Sequence, residues 1–98
     1  MERLLQLEDF KPYVGKTVRF KGTRFAFALD HIVGEDRPIP PGMKRRPFML
    51  IFRGPKEPEY LREGMYECEF EGGPTHLIYV NPIQTVAPEW QDYQAVFN

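Results

Sequence analysis

Hydrophobic and polar residues alternate along much of the chain, which is the pattern of β-strands with one buried face. In KTVRFKG, Val18 and Phe20 alternate with basic and polar residues, and in FAFALDHIV the residues Phe25, Phe27 and Leu29 share one side. The segments MYECEFE, THLIYVN and DYQAVFN continue the alternation. Together these segments predict short strands separated by turns.

The segment PFMLIF differs because it is apolar on both faces. It predicts a central strand covered on both sides, or a strand at an interface. Its Met49 and Ile51 are therefore candidate partner-binding residues.

The segment before the first strand has a different spacing. Leu7, Phe10 and Val14 fall at helical intervals, and Gly15 follows them, which predicts one helical turn that ends at the glycine. Ten prolines favour short strands and shaped loops over long helices. The sequence therefore predicts an all-β fold in a single domain over residues 1–98, a small antiparallel barrel or sandwich of about six strands with one short N-terminal helical turn.

Two connections are long. GEDRPIPPGMKRRP, over residues 34–47, contains four prolines and the basic triplet Lys44, Arg45 and Arg46, and long ordered loops are often functional. RGPKEPEYLREG, over residues 53–64, is expected to place Tyr60 and Leu61 as a plug over one end of the core.

The start of the second connection predicts the end of a strand. Gly54 relieves the backbone, Pro55 ends the pairing, and Arg53 is expected to bond nearby carbonyls. We assign these three residues a structural role.

The single cysteine lies in a predicted β-hairpin that turns at Gly72 and Gly73. The inward set of the first strand is Tyr66, Cys68 and Phe70, so Cys68 is expected to behave as a small buried hydrophobic residue. Two registers are open. A two-residue loop places Glu69 opposite His76 and Cys68 opposite Leu77, and a three-residue loop that includes Pro74 places Phe70 opposite His76 and Cys68 opposite Ile78.

Neither register places Cys68 opposite His76. Three glutamates flank the thiol, and they oppose the lowered pKa that a nucleophilic cysteine needs. We therefore predict a structural cysteine and no catalytic residue at this hairpin.

Other chemical signals are weak. Asp30 and His31 are adjacent, but neighbouring strand residues point to opposite faces. GxSxG, HExxH, P-loop and paired CxxC motifs do not occur in the sequence, and two histidines with one cysteine are a poor metal set. We predict no enzyme activity, no metal and no cofactor.

Composition and charge narrow the class of protein. The hydrophobic fraction of 42% and charged fraction of 28% are those of a globular chain, and its longest apolar runs, FAFAL and FMLIF, are too short to span a membrane. The N-terminus MERLLQLED lacks an apolar signal region, so secretion is not expected. Residues 1–53 carry a net charge of +5 and residues 54–98 a net charge of −6, which predicts complementary surfaces within one molecule or between neighbours.

The basic residues are the candidates for binding a partner. Arg19 and Lys21 fall on the first predicted strand, and Lys44, Arg45 and Arg46 fall on the long loop. A small barrel with a basic face can bind single-stranded nucleic acid. A pI near 6.1 opposes that alternative, and either a solvated surface or docking onto an acidic protein is preferred.

Three stretches together resemble a family of small bacterial and phage domains of unknown function. They are the opening LEDFKPYVGKTVRF, the central PFMLIFRGP with EGMYECEFEGG, and the closing YQAVFN. The resemblance implies a small β domain of a phage virion, associated with a tail or fibre, or of the bacterial cytoplasm, and it implies no catalytic residues.

The expected function is protein–protein association without catalysis. The expected partners are other protein subunits, among them phage tail or fibre proteins or further copies of the chain. Single-stranded nucleic acid is the alternative partner.

Overall fold

The computed structural model describes residues 4–34 and 38–98. Two 3-10 turns, Leu7–Asp9 and Lys11–Tyr13, precede the strands. Within the described residues the strands are β1 Thr17–Phe20, β2 Ala26–Val33, β3 Phe48–Pro55, β4 Gly64–Phe70, β5 Thr75–Pro82 and β6 Trp90–Phe97. They pair antiparallel and close into a barrel in the order β1-β2-β3-β6-β5-β4. The predicted all-β fold with a short N-terminal helical turn is confirmed, and it is a barrel.

The barrel interior is filled by the inward residues of each alternating strand. Val18 and Phe20 of β1 and Phe27 and Leu29 of β2 are each at most 4% exposed. The ring of Phe27 stacks on that of Tyr93 with centroids 4.5 Å apart. The predicted inward faces of β1 and β2 are therefore confirmed.

The N-terminal 3-10 turns close one end of the barrel with Phe10. This side chain is fully buried, and its ring centroid lies 5.3 to 5.8 Å from those of Phe48, Phe70, His76 and Phe97. The prediction that Val14 shares this apolar side is wrong. The second turn ends before Val14, whose backbone is extended and whose side chain is 42% exposed.

Leu61 closes the opposite end, where β4 begins. It is 2% exposed, and its backbone N–H donates a hydrogen bond of 3.1 Å to the Tyr93 hydroxyl. Tyr60 is 52% exposed and lines a surface depression. The predicted plug is therefore confirmed for Leu61 and wrong for Tyr60.

The barrel is least continuous between β5 and β6. β3 and β6 pair over the whole of β3, whereas β5 and β6 pair, among the described residues, only at Asn81–Gln94 and Pro82–Tyr93. Pro74 accepts a hydrogen bond from Phe70 of β4. Because successive residues of a strand direct their backbone groups to alternate neighbours, Leu77 and Tyr79 direct theirs toward the unpaired side. We call this part of β5, residues 75–80, the open edge.

Candidate functional site

The hairpin of β4 and β5 forms in a register that neither sequence-based alternative predicted. Cys68 pairs with His76, and Glu69 pairs with Thr75. The two-residue loop is wrong because Pro74 has no N–H with which to close it. Instead Gly73 donates to the Phe70 carbonyl, and Gly72 takes φ +74 at the third position, as a type II turn requires.

This register places Cys68 and His76 on the same inward face, contrary to our expectation. The thiol is nevertheless fully buried, and its Sγ donates to the Tyr66 carbonyl at 3.5 Å. Burial raises the pKa of the Cys68 thiol to about 12. Since the thiolate is the nucleophile, this cysteine is chemically inert at neutral pH.

Asp30 and His31 do contact each other, because β2 has a bulge between Leu29 and His31. The bulge adds one residue to the strand and breaks the strict alternation on which the prediction rested. The His31 Nδ1 lies 2.8 Å from the Asp30 Oδ2. Asp30 also lies 3.5 Å from the Arg53 guanidinium, so the pair belongs to a network of polar contacts on the barrel surface.

Arg53 is the centre of that network. Its Nε and Nη2 donate to the two Asp92 carboxylate oxygens at 2.8 and 3.0 Å, and its Cζ lies 4.5 Å from the Trp90 ring centroid. Its partners are thus carboxylates, where we expected backbone carbonyls. The hydrogen bond from the Arg53 guanidinium to Asp92 raises the pKa of Arg53. Because these partners come from β2 and β6, Arg53 ties three strands together.

Of the other predicted structural residues, Gly54 and Gly73 lie at tight positions, whereas a Cβ on Gly15 would meet nothing within 4 Å. Gly15 donates its N–H to the Leu29 carbonyl at 2.7 Å. A Cβ on Gly54 would lie 2.2 Å from the Phe27 ring, and a Cβ on Gly73 would lie 2.4 Å from the Tyr13 ring. Pro55 is the last residue of β3.

The predicted basic residues do not form one surface. Arg19, on the outward face of β1, lies 3.6 Å from Glu69 of β4. Lys21 is exposed in the turn after β1. Lys44 is exposed on the long loop and forms no ion pair with the described residues.

The two loop arginines bind within the chain. Arg45 donates from Nε to the Asn98 carbonyl at 2.9 Å and from Nη1 to the Leu5 carbonyl at 2.7 Å. Arg46 lies 3.9 Å from Glu8. These bonds fasten the base of the 34–47 loop, of which residues 35–37 lie outside the described residues, to both terminal segments.

The doubly apolar strand β3 offers little surface. Ile51 is 6% exposed on the outward face, and Met49 is half-buried. β3 lies between β2 and β6. The burial of Ile51 agrees with a strand covered on both sides, and the alternative of a strand at an interface stays a prediction.

An exposed apolar surface lies instead on the outward face of the β4–β5 hairpin. Met65 is 56% exposed, Leu77 is 62% exposed and Tyr79 is 49% exposed. Met65 and Tyr79 are direct cross-strand partners, and Leu77 is the next outward residue of β5. We call these three residues the hairpin patch.

Carboxylates border the hairpin patch. Glu67 is the cross-strand partner of Leu77, and its side chain has no ion pair with the described residues. The Tyr79 hydroxyl donates to Glu63, and this hydrogen bond raises the pKa of Tyr79. A third carboxylate, that of Glu69, lies 3.6 Å from the Arg19 guanidinium. The border is therefore acidic, with Arg19 as a partial counter-charge.

Apart from the hairpin patch, the surface has a depression of about 350 Å³ beside Tyr60. Phe25, Leu61 and Tyr66 also line it. The charges near it neutralise one another, since Arg24 lies 3.9 Å from Glu57 and 2.9 Å from Glu59. Arg62 also lines the depression, and its guanidinium forms no ion pair with the described residues.

Metal-binding clusters and membrane-spanning helices are two further features that a functional site can rest on. No group of three His, Cys, Asp or Glu side chains within residues 4–34 and 38–98 is placed to hold a metal ion. No helical segment in the same ranges is long and apolar enough to cross a membrane.

Sequence reasoning missed the hairpin patch, although a signal was present. HLIYV in β5 is apolar on both faces, as PFMLIF is in β3. The pattern shows that a second face exists, but only the burial in the folded chain shows that the second face of β3 is covered at Ile51 while that of β5 is open at Leu77 and Tyr79.

One family of proteins is similar to this chain over nearly its whole length. The model of the family described as "Domain of unknown function (DUF6916)" matches residues 5–97. No curated protein matches the chain, and no solved structure matches it.

Proposed function

The chain belongs to the family of unknown function DUF6916, and we propose that this member is a non-enzymatic protein-interaction domain. Its partners are other protein subunits, which include further copies of the chain. On the resemblance of its opening, centre and end to small bacterial and phage domains, we place it in a phage particle, as a tail or fibre-associated component, or in the bacterial cytoplasm.

The hairpin patch is the observation that carries this proposal. Its three side chains together expose an area on the order of 300 Å² of contiguous surface, a size that on monomeric proteins often marks an interaction site. Tyrosine and methionine are also enriched at protein interfaces. Large exposed apolar residues at neighbouring positions on the outward face of a hairpin are therefore a suitable surface for a protein partner.

Two further observations support association over catalysis or nucleic-acid binding. The thiol that chemistry would need is buried with a pKa of about 12. Arg19 and Arg45, which a basic binding face would need, are engaged within the chain. A protein surface with apolar and acidic character suits a protein partner better than a phosphate backbone.

The test is light scattering of the purified protein over a wide concentration range, at about 0.05 and 0.5 M salt, alone and with candidate tail or fibre proteins. We expect an assembly that the variant Leu77→Asp abolishes. The control is Val86→Asp, because Val86 is 96% exposed and lies outside the hairpin patch.

A protein that stays monomeric, binds none of these candidates and is unchanged by Leu77→Asp would contradict the proposal. A salt-sensitive gel shift with single-stranded DNA or RNA would favour the nucleic-acid alternative.

A further inference from the structure

We propose that the hairpin patch binds the 38–44 segment of a second copy of the chain, so that copies associate head to tail. This inference rests on the proposed function and names the partner of the same site. Three sets of observations support it.

The first concerns the shape of the loop. The Met43 N–H donates to the Pro40 carbonyl at 3.1 Å, and Gly42 has φ +81, so residues 40–43 form a type II turn with Pro41 at its second position. Arg45 fastens the loop base to Leu5 and Asn98. The turn and the anchored base favour one conformation of the tip, which lowers the entropy that association must overcome.

The second concerns what the tip presents. Ile39 is 52% exposed and Met43 is 38% exposed. The ammonium of Lys44 follows them and forms no ion pair with the described residues. The tip therefore combines apolar side chains with the ammonium of Lys44.

The hairpin patch presents the complement of that tip. Its apolar side chains are bordered by Glu67, which also forms no ion pair with the described residues, and by Glu63. Apolar contacts would supply the buried area, and the pairing of Lys44 with Glu67 would fix the register. Charge complementarity of this kind gives specificity more than raw affinity.

The third concerns the direction of assembly. The loop enters β3 at Phe48, on the end of the barrel that Phe10 closes. Met65 and Tyr79 lie toward the other end, near the start of β4 that Leu61 closes. One molecule therefore carries the two surfaces at different ends, and the contact is heterologous. Repetition of such a contact gives a ring or a filament.

A charge exchange tests the inference. Lys44→Glu and Glu67→Lys each place like charges at every contact, and each is expected to weaken association about tenfold, which is about 1.4 kcal/mol. In an equal mixture of the two variants, the introduced glutamate of one copy meets the introduced lysine of the next. At the following contact the unchanged Lys44 meets the unchanged Glu67. The mixture is therefore expected to regain the assembly of the original chain in sedimentation equilibrium.

The matched controls are Lys16→Glu and Glu89→Lys, whose sites are exposed and lie outside both surfaces. Circular dichroism confirms that each variant is folded. The controls and their mixture are expected to behave as the original chain does.

Each outcome bears on the inference. Recovery in the mixture of Lys44→Glu and Glu67→Lys supports it. Failure to recover, or single variants that assemble normally, overturns it. If Leu77→Asp still abolishes binding to another protein in that case, the proposed function stands without the head-to-tail contact. An original chain that is monomeric at every concentration also overturns the inference.

Discussion

Replacing Gly54 with alanine tests whether the barrel core is as tightly packed as the structure shows. Gly54 is a buried residue of β3. A Cβ at this position would lie 2.2 Å from Cδ1 and 2.4 Å from Cε1 of Phe27. Real Cβ atoms do not approach ring carbons this closely, so Phe27 or the β3 backbone must move.

The Phe27 ring has little freedom to move. It is 4% exposed, its centroid lies 5.4 Å from that of Phe20, and it stacks on Tyr93 at 4.5 Å. Forcing an extra methyl group into a packed core costs about 1–3 kcal/mol, and a disturbed aromatic pair adds about 0.5–1.5 kcal/mol. We expect Gly54→Ala to lower the free energy of unfolding by about 2–3 kcal/mol and the Tm by roughly 10–20 °C.

The assay is urea and thermal unfolding followed by circular dichroism and Trp90 fluorescence. The matched control is Gly64→Ala. Gly64 is also in a strand without positive φ, and its Cβ would meet nothing closer than 3.7 Å. Replacing glycine with alanine at an unstrained position is expected to raise the free energy of unfolding by about 0.4–1 kcal/mol. A Phe27→Leu change should partly relieve Gly54→Ala, with a coupling energy of about 1 kcal/mol.

Equal stability of the Gly54→Ala and Gly64→Ala proteins, within about 0.5 kcal/mol, would refute the reasoning. It would mean that Phe27 does not occupy the space beside Gly54. Additive effects of Gly54→Ala and Phe27→Leu would lead to the same conclusion.

Three further predictions follow from the barrel. The amides of Leu77 and Tyr79 at the open edge should exchange with deuterium faster than those of the β3 interior in a protein kept monomeric, and equal protection would contradict an unpaired β5. Burial raises the pKa of the Cys68 thiol to about 12, above the value of about 8.5 for a free cysteine. The stability that the buried thiol contributes is therefore fully present below about pH 8.5 and is lost as the pH rises toward 12, because only the unfolded chain loses the proton in that range. Urea unfolding at about pH 8 and about pH 10.5 measures this loss. Between the two pH values the free energy of unfolding should fall less for Cys68→Ala than for the original chain, and an equal fall in both proteins would count against a buried thiol. Arg53→Lys loses the forked bond to Asp92 and should lower the free energy of unfolding by about 1–2 kcal/mol, with a change in Trp90 fluorescence, whereas no effect would show that the network is unimportant.

The local pattern was sufficient for part of the fold. The period-two alternation of KTVRFKG and of MYECEFE assigned Val18, Phe20, Cys68 and Phe70 to the core, because a strand places alternate side chains on opposite faces whatever its neighbours are. The number of strands and the burial of the lone thiol follow from the same rule. The short N-terminal turn was also predicted, since its apolar spacing is local.

Features that depend on how strands meet were not predicted correctly. The β4–β5 register depends on which residue of the turn lacks an N–H, and the bulge at Asp30 brings two residues together that strict alternation separates. The choice of Met49 and Ile51 as binding residues, which stays a prediction, rested on a strand that is apolar on both faces. That pattern is shared by β5, and no local signal separates the two.

The sequence by itself determined which side of each strand is apolar, because side-chain direction is a property of the backbone of one segment. Only the tertiary structure decided which apolar face stays in water. On the outward face of β3 Ile51 is 6% exposed, whereas on that of β5 Leu77 is 62% and Tyr79 49% exposed. Coverage is a property of neighbours that are distant in the chain, and it is coverage that singles out the hairpin patch as the candidate site.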